Sequence, residues 1–119
     1  MKKQEIGIFG ENKAAEYLKN LNYEVLVRNH REKFGEIDII GRDKEGTLIF
    51  VEVKALLFGS LKPEDNFTTQ KYKKVKQLSE FFVASHPHLI DENKGWQIDL
   101  IAVEILTTEE FIIRHYENI

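Results

Sequence analysis

The sequence predicts an α/β fold, a single mixed β-sheet flanked by helices in the order helix, three strands, helix, two strands. Three observations carry this reading. Residues 4–21 and about 68–85 repeat apolar side chains at helical spacing. Five shorter runs, rich in β-branched and aromatic residues, have the length of strands. The second helix falls between the third and fourth strands, and a crossover of that length joins parallel neighbours in the right-handed sense.

Taken in order, the first helix offers Ile6, Ala14, Leu18 and Leu21 as an apolar stripe. Its Gly7 and Gly10 weaken a helix, and are expected where backbone must approach a neighbour closely. Residues 23–29, 36–41 and 47–54 read as the first three strands, with Asp43-Lys44-Glu45-Gly46 as the turn between the second and third. Residues 55–67, containing Gly59, Pro63 and Asp65-Asn66, read as a loop. Thr68 or Thr69 supplies an N-cap for the second helix, which buries Val75, Leu78 and Phe82 and stops at His86-Pro87. Trp96 anchors the edge of a fourth strand over residues 97–106, and residues 110–116 form the fifth. With 119 residues and no internal repeat, the chain is one domain, residues 1–119.

Composition narrows the function classes. The chain has no cysteine, which excludes a disulfide framework, a thiolate metal site and a cysteine nucleophile. No signal-peptide pattern and no apolar run of membrane-spanning length is present, so a cytoplasmic location without membrane contact is expected. The net charge of −3 is unevenly spread. Lysines 54, 62, 71, 73, 74 and 76 outnumber Glu64 and Asp65, whereas residues 89–119 are dominated by acids. A lysine-rich segment of this kind is either a solvated helix face or a surface that meets phosphates.

Two strings carry the chemistry: Gly35-Glu36-Ile37-Asp38 and Glu52-Val53-Lys54. Alternation places Glu36 with Asp38, and Glu52 with Lys54, on one strand face each. If residue 42 pairs with 48, Asp38 stands opposite Glu52. Carboxylates held this close repel unless a cation lies between them, and a hard divalent ion with oxygen ligands fits. Beside such an ion, Lys54 can stabilise charge on a phosphoryl group or orient a hydroxide; its simpler role is counterion to Glu52. Glu11 lies at the edge of the first helix's stripe, either as a plain surface glutamate or as a third carboxylate brought to the sheet. Lys71, on the face of Val75 and Phe82, either snorkels to solvent or reaches an anion. The histidines at 30, 86, 88 and 115 lack metal-ligand spacing, and no P-loop, nucleophile elbow or dinucleotide fingerprint occurs.

Together, Ile6-Gly7, Gly10-Glu11, Tyr23 to Asn29, Gly35-Glu36-Ile37-Asp38, Phe50-Val51-Glu52-Val53-Lys54, Pro63-Glu64, Lys71 and Asp99 resemble the YraN-like family over nearly the whole chain. That family is assigned to the PD-(D/E)XK nuclease superfamily and is similar to archaeal Holliday junction resolvases. The resemblance implies a restriction-endonuclease-like core and a metal-dependent DNA nuclease, with branched or recombination-intermediate DNA among the substrates. It implies Glu11, Asp38 and Glu52 as metal ligands for Mg²⁺ or Mn²⁺ and Lys54 as catalytic lysine. Lys71, Lys74 and Arg31 are then expected to contact nucleic acid, and the analogy extends to a homodimer. Two positions depart from the family pattern: Leu56 and Gln97 stand where arginines are common. These losses favour an alternative, a non-catalytic nucleic-acid-binding module that keeps the fold.

Overall fold

A computed structural model describes residues 1–59 and 61–119. Position 60, within the expected loop, lies outside the described residues. The elements are α1 (Lys3–Asn20), β1 (Glu24–Glu32), β2 (Gly35–Arg42), β3 (Leu48–Leu57), a short 3-10 turn (Pro63–Asn66), α2 (Thr69–Ser85), a second 3-10 turn (Pro87–Leu89), β4 (Trp96–Ile105) and β5 (Phe111–Tyr116). The strands form one mixed sheet in the order β1-β2-β3-β4-β5, an architecture compatible with a restriction-endonuclease-like core. Among the described residues, only β3 and β4 pair in parallel; the other neighbours are antiparallel. The parallel pair is the one bridged by α2, as the crossover length requires. No helix among the described residues is long and apolar enough to cross a membrane.

One helix covers each face of the sheet. On the α1 side, Ala14, Ala15 and Leu18 pack with Ile39, Ile49, Val51, Val53, Ile101, Val103 and Ile105. On the α2 side, Val75, Leu78 and Phe82 pack with Ile37, Ile40, Leu48, Phe50 and Ile98. Odd positions of β3 and β4 therefore face α1 and even positions face α2, which gives these central strands their continuous apolar runs. Trp96 meets Phe50 edge-on at 5.5 Å, the expected anchor. Thr68 caps α2, its Oγ1 accepting from the Lys71 N–H at 3.2 Å.

Four expectations need correction. Leu21 is 40 % exposed, because the helix ends at Asn20 and Leu21 only caps it. β1 runs past residue 29 to Glu32, since Arg31 and Glu32 pair with Glu36 and Gly35 in a tight hairpin. β3 continues through Leu57 rather than becoming loop at residue 55, because Ala55, Leu56 and Leu57 stay paired with Val103, Glu104 and Ile105. Gly10 does approach a neighbour: a Cβ there would collide with the Cβ of Ala55. Gly7 does not, as a Cβ on it would meet nothing within 4 Å.

The β2–β3 hairpin has the expected register, Arg42 opposite Leu48, and pairs down to Ile39 opposite Val51. There the ladder stops. The next β3 amide, Val53 N–H, donates instead to the Asp38 carboxylate at 2.8 Å. Ile37 and Ile39 consequently pack on opposite faces of the sheet, although strict alternation would keep them together. On the other side of β2, Asn29 takes a left-handed conformation (φ 53°) between the pairs Arg28–Ile39 and His30–Ile37. The sheet is bent at Asp38, and the candidate site lies at this bend.

Candidate metal and phosphate site

Asp38 is only 7 % exposed, and its side chain is held by the Val53 N–H. The Glu52 carboxyl is its neighbour and interacts with it directly. Two carboxylates so close cannot both be ionised without a cation, and burial disfavours charge further. Burial first, and then Glu52, push the Asp38 carboxyl up to about 8. Lys54 opposes this, its Nζ 3.7 Å from a Glu52 oxygen. Both side chains of that ion pair retain some exposure, so the group opens outward rather than being sealed in the core.

Glu11 arrives from α1, whose close approach to β3 at Gly10 and Ala55 carries the next residue to the sheet. Burial raises its carboxyl, and the charges of Asp38 and Glu36 raise it again. Arg28 and a hydrogen bond with Asn29 pull the other way. Glu11 thus shares the electrostatic field of Asp38. Among the described residues, however, Glu11, Asp38 and Glu52 are not a trio whose oxygens all lie within 4.8 Å of one another. Asp38 interacts directly with Glu52, and with Glu11 through charge.

The donor set suits a hard divalent cation. Asp38 and Glu52 bring two carboxyl groups together at one point of the sheet, and oxygen ligands match Mg²⁺ or Mn²⁺. Next to it lies a cavity of about 540 Å³ lined by Lys3, Gly7, Lys54, Leu56, Asn66 and Lys71, among others. Three lysines from α1, β3 and the first turn of α2 converge there. Lys71 is exposed and is brought to this cleft by the crossover. Gly7 lines the same cavity, and its missing side chain keeps the entrance open.

The other expected basic contacts sit elsewhere. Arg31 lies on the β1–β2 hairpin and pairs with Glu36 at 3.2 Å. The Lys74 side chain packs beside Gly35 on that same hairpin, 3.8 Å from a Cβ built there. Neither Arg31 nor Lys74 lines the lysine cleft.

Some residues were passed over in the sequence. Lys3 in the cleft gives no local signal, since only the packing of α1 brings it there. His115 belongs to a set with Asp99 and Glu117 whose ligand atoms lie within 4.8 Å of one another. Asp99, fully buried, accepts from Gln97 Nε2 at 2.9 Å and from the Asn118 N–H at 2.9 Å, and its other oxygen meets His115 Nε2 at 2.7 Å. His115 Nδ1 in turn lies 3.1 Å from the Tyr17 hydroxyl. The hydrogen bonds of this network are used internally, and they tie β4, β5 and α1 together. Gln97, which stands where an arginine was expected, serves this network.

Residues 10–103 match the profile described as Uncharacterised protein family UPF0102. Relatives named UPF0102 protein include one from Caldicellulosiruptor saccharolyticus, 48 % identical over 87 residues that cover 70 % of each chain. One from Campylobacter lari is 40 % identical over 97 residues, covering 82 % of this chain and 81 % of its own. One from Persephonella marina is 36 % identical over 107 residues, covering 89 % and 87 %. The matched segment contains Glu11, Asp38, Glu52, Lys54 and Lys71, so the carboxylate pair lies within the shared domain together with two of the three cleft lysines, and the chain belongs to the UPF0102 family.

Proposed function

We propose that this protein is a metal-dependent nuclease of the PD-(D/E)XK type that hydrolyses phosphodiester bonds in DNA. The observation that carries the reading is buried Asp38 beside partly exposed Glu52, which pairs with Lys54 at a cleft that also holds Lys3 and Lys71. Mg²⁺ or Mn²⁺ bound by Asp38 and Glu52 would polarise the phosphoryl oxygen and lower the pKa of a bound water. Asp38 is fixed for this task by the Val53 N–H, and Glu11 adds negative charge to the same field. Lys54, held at Glu52, neutralises charge that builds on the phosphoryl oxygens. Lys3 and Lys71 hold flanking phosphates as point charges.

The direct test incubates the protein and its Glu52→Ala variant with labelled single-stranded, duplex, flapped and four-way-junction DNA, in Mg²⁺, Mn²⁺ or EDTA. Cleavage that needs the metal and disappears in the folded variant is the expected result. Equal cleavage by the variant would sink the proposal. A second reading, a binding module without turnover, draws support from Leu56, an apolar residue lining the cleft where the YraN-like pattern has arginine. It predicts binding that weakens steeply with salt, is indifferent to Mg²⁺ and leaves every substrate intact.

A further inference from the structure

An apolar cavity of about 370 Å³ is lined by Leu100, the β4 partner of Glu52, and no step of the proposed hydrolysis uses it. Its floor is set by sheet register. Glu52 pairs with Leu100, and Leu100 pairs with Tyr116, so the three form one row across β3, β4 and β5. All three occupy the α2 face, by the alternation that places Phe50 and Ile98 there. Strands are spaced about 4.8 Å apart, so Leu100 and Tyr116 stand roughly 5 and 10 Å from Glu52 along the row. Phe67, Thr68 and Tyr72, where the chain enters α2, form a wall, one residue from the Lys71 that lines the cationic cleft.

The aromatic rings are held in place by their own hydroxyls. Tyr116 donates to Glu64 at 2.6 Å, and Tyr72 donates to the Ile119 carbonyl at 3.2 Å. Phe67 meets Tyr72 edge-on at 6.4 Å. Tyr116 remains 39 % exposed, which leaves ring surface open to a ligand. The acid at the rim, Glu64, is neutralised by two bonds from Arg114, at 2.5 and 2.8 Å.

From this juxtaposition we infer that the cavity is a nucleobase pocket, which receives one unpaired base of a strand whose phosphates lie on Lys54 and Lys71. This rests on the nuclease reading above and extends it to the substrate. The ligand must be apolar and flat where it meets the rings, and anionic one strand spacing away; a nucleotide has both properties. A base in a duplex is stacked on both faces and paired at its edge, so it cannot enter, whereas an unpaired base stacks on aromatic side chains at little cost. The protein therefore selects DNA with an unpaired nucleotide beside the cut: a single strand, a flap or a branch point.

The test uses the whole protein in EDTA, so that no strand is cut. Binding of a labelled single-stranded oligonucleotide and of its duplex is compared for the wild type, Tyr72→Leu and Thr69→Trp. The first variant removes a ring but keeps apolar bulk; the second fills the pocket from an exposed position and guards against a folding defect in the first. The expected result is a single-strand affinity lowered about tenfold in both variants, duplex affinity within twofold of the wild type, and loss of 2-aminopurine quenching on binding. Equal losses on both DNAs, or no loss on either, would overturn the pocket. If metal-dependent cleavage still needs Glu52 while these variants change nothing, the pocket fails alone. If the wild type binds neither DNA, both readings fail.

Discussion

Asp38 carries the sharpest consequence at the scale of a single residue. Its carboxyl is pushed up to about 8 in the folded protein by burial and by Glu52, well above its value in an unfolded chain. Between pH 4 and 8 the native state therefore keeps a proton that the unfolded state has lost. With more protons on the native side, this group's contribution to stability falls as pH rises through that window. Thermal unfolding in EDTA is expected to show this contribution shrinking from pH 5 to pH 8, and Asp38→Asn, which cannot ionise, to raise the melting temperature at pH 8. Mg²⁺ should raise it for the wild type at pH 8 but not for Glu52→Ala, as a ligand bound only to the native state does. An unchanged melting temperature on adding Mg²⁺ would count against metal binding at this pair. The carboxylates and lysine were legible in the sequence because acidic residues are depleted from apolar strands. The bend at Asp38 was not legible, since it depends on a side chain taking over from a carbonyl in the β2–β3 ladder.

At the scale of elements, the two glycines of α1 separate packing from propensity. Both looked alike in the sequence, as helix-weakening residues awaiting a close neighbour. Only Gly10 has one, against Ala55. Gly10→Ala is expected to cost about 1–3 kcal/mol through overpacking, and to displace Glu11 with it. Gly7→Ala is expected to stabilise the helix by up to about 1 kcal/mol, while adding a methyl to the wall of the lysine cleft. Urea unfolding of the two variants checks the pair, and similar effects on stability would contradict the packing described. The length of β3 is a second lesson of this kind. Residues 55–57 read as loop in the sequence, and the parallel partner β4 decided their conformation.

Across the whole molecule, Arg114 fastens the 3-10 turn to the sheet. It donates to Glu64 twice, and at 2.8 Å to Glu104, which is only 6 % exposed. Removing one partner from such a cluster leaves buried charge uncompensated, so Arg114→Met is expected to cost about 3 kcal/mol, measured by denaturant unfolding. The hydrogen bonds from Arg114 also hold the Glu64 carboxyl down at about 2. A depressed carboxylate contributes stability above its unfolded pKa, and that contribution is lost as pH falls from about 4.5 to 2. The acid-induced loss of stability in that window should be shallower in Glu64→Gln than in the wild type. The same tie positions Tyr116, so it also supports the wall of the pocket beside the site.

Periodicity and chain order were enough to determine the fold class, the element sequence, the parallel β3–β4 pair and the register that brings Asp38 toward Glu52. These follow from local rules: side-chain alternation, turn chemistry and the length of a crossover. Tertiary structure alone decided that Lys3 and Lys71 join Lys54 in one cleft, while Arg31 and Lys74 lie outside it. It alone laid Glu52, Leu100 and Tyr116 in a single row and closed Asp99 and His115 into a buried network. Such neighbours are separated by tens of residues along the chain, and their contacts are set by how strands align across the sheet and how helices seat on its faces, which no local pattern encodes.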